Sequence, residues 1–232
     1  MARVPRKLCV FDTFSVHKVW RGHNKEFNLG TANQKEKYLE YLNEDIESQR
    51  FKNAYELQAF TLMGNHAHEI AKILSQKLFS EHMRRHHSRY GMYFNRNNNR
   101  CGKVAQDRAH TCVLGDAHHE MIAVFYVHAN PIRANIVGDA RNYYYSTHNL
   151  YAYGKRRAWM KHVVLPSWYI ALGKNMTERQ RKYRALFAKY LKDYGSHKRN
   201  FLKRRFFGTS AWMEAQEDVV KQWRREHASA FD

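Results

Sequence analysis

The chain has 232 residues, 44% of them hydrophobic and 14% aromatic, with 40 Lys and Arg against 21 Asp and Glu for a formal charge of +19. That composition supports a sizeable core and a folded protein, and no apolar run approaches the roughly 20 residues that a membrane span requires. The positive excess selects polyanionic partners, nucleic acid first, because each phosphate neutralised by Lys or Arg releases counterions.

The basic start Met1-Ala2-Arg3-Val4-Pro5-Arg6-Lys7 is followed by an apolar stretch, Leu8-Cys9-Val10-Phe11, too short for a signal-peptide core and soon broken by Asp12. A cytoplasmic setting is expected. Cys9, Cys101 and Cys112 are odd in number and widely spaced, which implies reduced thiols rather than a disulfide framework or a four-cysteine zinc site.

In chain order, residues 8–16 are rich in Val, Phe and Thr and predict a first strand, and 34–48 carry Tyr38, Leu39, Leu42 and Ile46 at helical spacing. A second strand is expected over 56–63, a turn at Gly64-Asn65, and a third strand over 66–73, the pair forming a hairpin. Leu78, Phe79, His82, Met83 and His86 give a helical pattern over 75–90, the polar Asn- and Arg-containing run 94–102 reads as a loop, and 103–114 suits a fourth strand. A further helix runs from the N-cap candidate Asp116 to Ala129 and is expected to stop before Pro131.

Strand, helix, strand, strand, helix, strand is the split βαβ order. The expected fold is therefore α+β: a ferredoxin-like antiparallel sheet with helices on one face. Beyond it lie an aromatic cluster (Tyr143, Tyr144, Tyr145, Tyr151) and a helix over 177–194 with Tyr183, Leu186, Phe187 and Leu191 inward. The basic run 198–207 interleaves Lys198, Arg199, Lys203, Arg204 and Arg205 with Phe201, Phe206 and Phe207, a composition that fits single-stranded nucleic acid or, equally, a solvated face with buried Phe.

On a strand, residues two apart share a face, so His66 and His68 project together while Ala67 points away, a geometry that suits a metal. Downstream, Tyr126 and Asn130 share one helix face, and His128 lies about 200° round the helix from Tyr126. Each has a plainer reading: Tyr126 as a core tyrosine, Asn130 as a helix C-cap. A competing cluster, His82, His86 and His87, has helical spacing but Met83 where a zinc protease carries glutamate, and it reads as a polar, DNA-facing helix surface. Glu69 and Asp107 are possible auxiliary charges.

The combination of Asn65-His66-Ala67-His68, Gly102-Lys103-Val104-Ala105-Gln106-Asp107-Arg108 and Tyr126-Val127-His128-Ala129-Asn130-Pro131-Ile132-Arg133-Ala134 resembles the REP-associated tyrosine transposases, a branch of the single-tyrosine HUH transposases. Arg21-Gly22-His23 and Pro166-Ser167-Trp168 extend the resemblance over most of the chain. Gly64, Ala67 and Asp107 depart from the family pattern without removing a reactive group. The resemblance implies a catalytic domain over 1–137 and a helical, aromatic and basic extension over 138–232 that packs on it and contacts DNA. It implies Tyr126 as nucleophile, with His66, His68 and Asn130 as ligands of Mg²⁺ or Mn²⁺. The expected DNA contacts are Arg21, Arg96, Arg100, Lys103, Arg108, Arg133, Lys198, Arg199, Lys203, Arg204 and Arg205. The implied activity is cleavage and rejoining of single-stranded, hairpin-containing DNA through a 5′-phosphotyrosine intermediate, by a nucleoid-associated monomer or homodimer. The alternative is a non-catalytic binder of hairpin DNA or RNA derived from a transposase.

Overall fold

The structure is a computed structural model and describes residues 4–194 and 204–227. Strands β1 (Ser15–Arg21), β2 (Tyr55–Leu62), β3 (His66–Ile73), β4 (His110–Leu114) and the two-residue β5 (Phe206–Phe207) form one sheet in the order β2-β3-β1-β4-β5. All neighbours are antiparallel except β4 and β5. Helix α1 (Ala32–Glu47) joins β1 to β2, and β3 inserts between those strands, the split βαβ of the expected ferredoxin-like sheet; α2 (Gln76–Asn97) leads on to β4. Among the described residues, no helix is long and apolar enough to cross a membrane.

The strand period sorts side chains onto two faces. Trp20 of β1 packs against Tyr38 of α1 and Tyr90 of α2, with ring centroids 5.6 and 5.4 Å apart, so α1 and α2 cover one face together, as expected. The appended helix α3 (Ala117–Arg133) covers the other: Ser15 Oγ donates to Glu120 Oε2 at 2.9 Å, and His17 meets Tyr126 at 5.7 Å. The sheet is thus buried on both sides.

That double burial explains the displaced first strand. Residues 8–16 were expected to form it, but a 3₁₀ turn at Arg6–Leu8 and Thr13 at φ 72° keep the apolar 8–14 segment irregular. The strand occupies 15–21, where buried His17 and Lys18 hide the apolar pattern. The fourth strand is likewise shorter than expected, because 103–109 forms a loop that touches β1's end through a single bridge from Gly22 to Ala105.

Two helix boundaries also differ. Helix α2 runs on to Asn97, taking in the start of the expected loop, because Tyr90 and Phe94 continue its buried face. The histidines on it are core, not a DNA-facing surface. His82 and His86 are fully buried against Phe51, Tyr55 and Tyr38, and His87 stacks on Trp20. Helix α3 begins at the expected cap, Asp116, whose side chain accepts from the His119 amide at 2.9 Å, but it does not stop before Pro131. Proline removes one amide donor near the helix end, and the helix continues to Arg133, with the Ala134 amide bonding the Asn130 carbonyl at 2.9 Å.

After residue 137 the chain packs back onto this core. Residues 143–147 run along the free side of β2, with the Leu62 amide bonding the Tyr145 carbonyl at 2.9 Å and the Thr147 amide bonding the Phe60 carbonyl at 3.0 Å. Helices α4 (His148–Tyr153), α5 (Ser167–Ile170) and α6 (Met176–Tyr194) pack on α3, where buried His128 is held by the Tyr183 hydroxyl at 2.6 Å and Thr147 Oγ1 at 2.8 Å. Phe206 and Phe207 of β5 are buried, so the aromatics at the end of the basic run serve the core, and Phe206 packs against Trp212 of α7 (Ser210–Glu226) at 5.8 Å.

Candidate active site

The two-sided sheet places β3 beside α3. His66 and His68 point to the α3 face, their rings 4.8 Å apart, and the His68 ring stands 5.6 Å from that of Tyr126, edge to face. Tyr126 and His68 are buried, His66 and Asn130 half-buried. Asn130 Nδ2 donates to the Tyr126 carbonyl at 2.8 Å, a bond that fixes the amide one turn below the tyrosine and leaves its Oδ1 as the lone-pair atom. Glu69 alternates to the opposite face, where it pairs with Lys18 at 2.6 Å and accepts from the Tyr38 hydroxyl at 2.8 Å. It has no place among these groups.

Each histidine is oriented through its Nδ1. Asn65 Nδ2 donates to the Lys25 carbonyl at 3.2 Å, so its Oδ1 is the atom that faces His66 Nδ1 at 2.6 Å. That acceptor puts the imidazole proton on Nδ1 and leaves Nε2 with a lone pair. His68 Nδ1 meets Nε2 of buried His17 at 2.9 Å, and the rings stack at 5.1 Å; when His68 Nδ1 donates, its Nε2 too carries a lone pair. Outer-sphere hydrogen bonding of this kind is what fixes the tautomer of metal-ligating histidines.

The electrostatics follow from burial. Desolvation, then the charges of His110 and His66, lower the His17 pKa to about 3. Desolvation and the Arg21 charge lower His66 to about 4. His68 is pushed well below its ordinary range by burial first, with neighbouring His66, His17, Arg21 and Arg133 acting in the same direction. All three rings are neutral at neutral pH, the form that donates to a metal. Burial raises the Tyr126 pKa, while Arg133, Arg21 and a hydrogen bond from Asn130 pull it back.

Arg133 reaches the tyrosine because α3 runs through Pro131. Seven residues on a helix return to within about 20° of the starting direction. The guanidinium of Arg133 accordingly sits 4.8 Å from the centroid of the Tyr126 ring.

The donors suit a hard divalent cation in part. Two imidazole Nε2 atoms and an amide oxygen would together make a mixed N/O set of the kind Mg²⁺ and Mn²⁺ accept with water. The set is uncharged, and two arginines stand beside it. Among the described residues, no three or more His, Cys, Asp or Glu cluster as a metal site. These donors bring no negative charge to offset that of a cation.

The expected DNA contacts separate by position. Arg21, at the end of β1 opposite His66, and Arg108 line a cleft of about 440 Å³ together with Arg205, Gln106, Asp107 and Arg6. Lys103 and Arg204 are exposed, and Arg96 is exposed at the end of α2. Arg100 is engaged with Glu26 and lies over Phe94, and Arg205 pairs with Glu217 at 3.2 Å. Lys198, Arg199 and Lys203 lie outside the described residues. Two residues escaped sequence reasoning. Arg6 comes from the irregular N-terminal segment, where only the fold places it in the cleft. His17 could have been found only by assigning β1 to 15–21, when its parity with the face of His68 would have been visible.

No protein-family model and no curated protein matches this sequence. A solved structure with a similar fold is that of a REP-associated tyrosine transposase bound to a REP hairpin, which aligns with a TM-score of 0.52 and 16% identity over 68% of this chain and 89% of that one. At that identity the likeness establishes a shared fold.

Proposed function

We propose that this protein is a single-strand DNA endonuclease and strand transferase of the tyrosine transposase type, acting on hairpin-bearing DNA. The observation that carries this reading is the meeting of β3 and α3, which sets the His68 ring against Tyr126, with His66 beside His68 and Arg133 over the tyrosine ring. The hairpin-bound state of the structural neighbour and the +19 charge support DNA as partner.

In this reading the Tyr126 hydroxyl attacks the scissile phosphorus. Its proton passes to water as the O–P bond forms, the bond to the 3′ oxygen breaks, and that oxygen takes a proton from water and leaves as a free 3′-hydroxyl. Arg133 and Arg21 favour the tyrosinate against the desolvation that opposes it. Because the phosphoester survives as a 5′-phosphotyrosine, a second 3′-hydroxyl can displace Tyr126 and rejoin DNA without a nucleotide cofactor. His66, His68 and Asn130 would hold Mg²⁺ or Mn²⁺, which when bound supplies Lewis-acid polarisation of the phosphate. Asn65 keeps His66 in the donating tautomer, and His17 does the same for His68 when its Nε2 accepts from His68 Nδ1.

The test is incubation with end-labelled single-stranded DNA containing a hairpin, in Mg²⁺, Mn²⁺ or chelator. Metal-dependent cleavage leaving a free 3′-hydroxyl is expected. Hairpin binding with no cleavage in either metal contradicts the enzymatic reading and leaves a binding protein.

A further inference from the structure

Resting on the nucleic-acid reading above, we propose that Tyr144, Tyr145, Trp159 and Arg157 form a stacking platform for unpaired nucleotides of bound DNA. Tyr144 is 45% exposed, whereas core tyrosines such as Tyr151 and Tyr183 are fully buried. Its ring lies 4.9 Å from Tyr145 and 5.8 Å from Trp159, and Tyr145 stacks on Trp159 at 6.3 Å with 25° between planes. Three aromatic rings therefore adjoin at the surface.

Cations lie on this group. The Arg157 guanidinium stands 3.8 Å from the Tyr144 centroid, and Lys35 Nζ stands 5.3 Å from that of Tyr145. Arg141 pairs with Asp139 and Arg50 with Glu81, whereas no carboxylate among the described residues pairs with Arg157. Its Nε is buried without a hydrogen-bond acceptor. An arginine stacked on an exposed tyrosine and left without an anion presents a flat cationic surface. Bases stack on aromatic rings and guanidinium planes regardless of sequence, while the phosphates between them take the positive charge.

The backbone of the platform lies near the strand that carries the site histidines, while its rings sit on the α1 face of the sheet, where the Tyr145 hydroxyl donates to Glu36 at 3.2 Å and Trp159 packs on Phe60 at 5.4 Å. The Tyr145 carbonyl accepts from the Leu62 amide, and Leu62 pairs across the sheet with Ala67, between the two site histidines. The 143–147 segment thus runs two strand spacings from β3, roughly 10 Å. DNA that reaches both the Tyr126 centre and these rings passes round the free edge of the sheet beside 143–147, from the α3 face to the α1 face.

The test uses the full chain and a fluorescein-labelled oligothymidylate with no hairpin. Tyr144→Ala combined with Arg157→Gln should weaken its binding about tenfold, and Tyr144→Phe, which keeps the ring, should stay within about twofold of the parent. An oligothymidylate carrying 5-iodouracil should photo-crosslink to Tyr144 or Trp159 of the parent protein, a readout independent of how the variants fold. Unchanged affinity in the double variant, tighter binding of the matching RNA, or crosslinks confined to other segments would overturn the proposal. The Tyr126 reading is judged separately, by covalent adduct of parent and Tyr126→Phe on a hairpin with single-stranded flanks at saturating DNA, so either can fail alone.

Discussion

Replacing His82 with Leu should change stability little near neutral pH yet remove about 2 kcal/mol of the stability lost on acidification. His82 is fully buried, its ring nitrogens make no hydrogen bond, and Nε2 stands 3.8 Å from Asp45 Oδ2. Burial, with the Lys18 and Arg85 charges adding to it, lowers its pKa to about 3. In the unfolded chain the value returns to about 6.5. Between those limits the unfolded state binds a proton that the folded state does not. The contribution is therefore fully present above about pH 6.5 and is lost as pH falls toward the folded value. At about pH 5, roughly 1.5 pH units below the unfolded value, the loss is about 2 kcal/mol. Buried His17, lowered to about 3, and buried His148, lowered to about 4, act in the same direction, so the parent protein should lose several kcal/mol in all. Urea unfolding of both proteins at about pH 7.5 and about pH 5 measures the difference. Equal pH dependence in parent and variant, or a parent protein more stable at the lower pH, would refute the burial argument.

Three further outcomes concern the site. His17→Ala should weaken Mn²⁺ binding, measured by calorimetry in the presence of DNA, by about 10–100-fold, because it removes the partner that sets the His68 tautomer; unchanged affinity would deny His17 that role. Arg133→Gln should move the alkaline-going limb of the cleavage pH profile upward, since Arg133 lowers the Tyr126 pKa and its loss leaves burial less opposed. An unshifted profile would separate Arg133 from the nucleophile. Mn²⁺ should bind at least about tenfold more tightly once a hairpin oligonucleotide is present, because the protein donors are neutral and flanked by arginines. Equal affinity with and without DNA would show that the protein alone balances the ion's charge.

The parts legible in sequence were those set by local pattern. The His66–Ile73 strand, the Asp116 cap and the Tyr126–Asn130 spacing all follow from periodicity or capping chemistry, and the split βαβ order follows from the sequence of elements. What was not legible depended on tertiary burial. β1 was displaced because its inward positions include a histidine and a lysine, polar residues that only the Glu69 pair and the His68 contact make tolerable inside. The α2 histidines looked like a DNA surface because neutral histidine in an aromatic core has no sequence signature. The continuation of α3 through Pro131 ran against a local rule, and it was that extra turn that brought Arg133 to the tyrosine.

The most direct measurement of the central claim is mass mapping of the covalent product formed with a labelled hairpin oligonucleotide and Mn²⁺. A 5′-phosphonucleotide mass on the peptide containing Tyr126, absent from Tyr126→Phe while that variant still binds the hairpin, is the predicted result. Attachment at another residue, or an adduct that persists in Tyr126→Phe, would contradict the account.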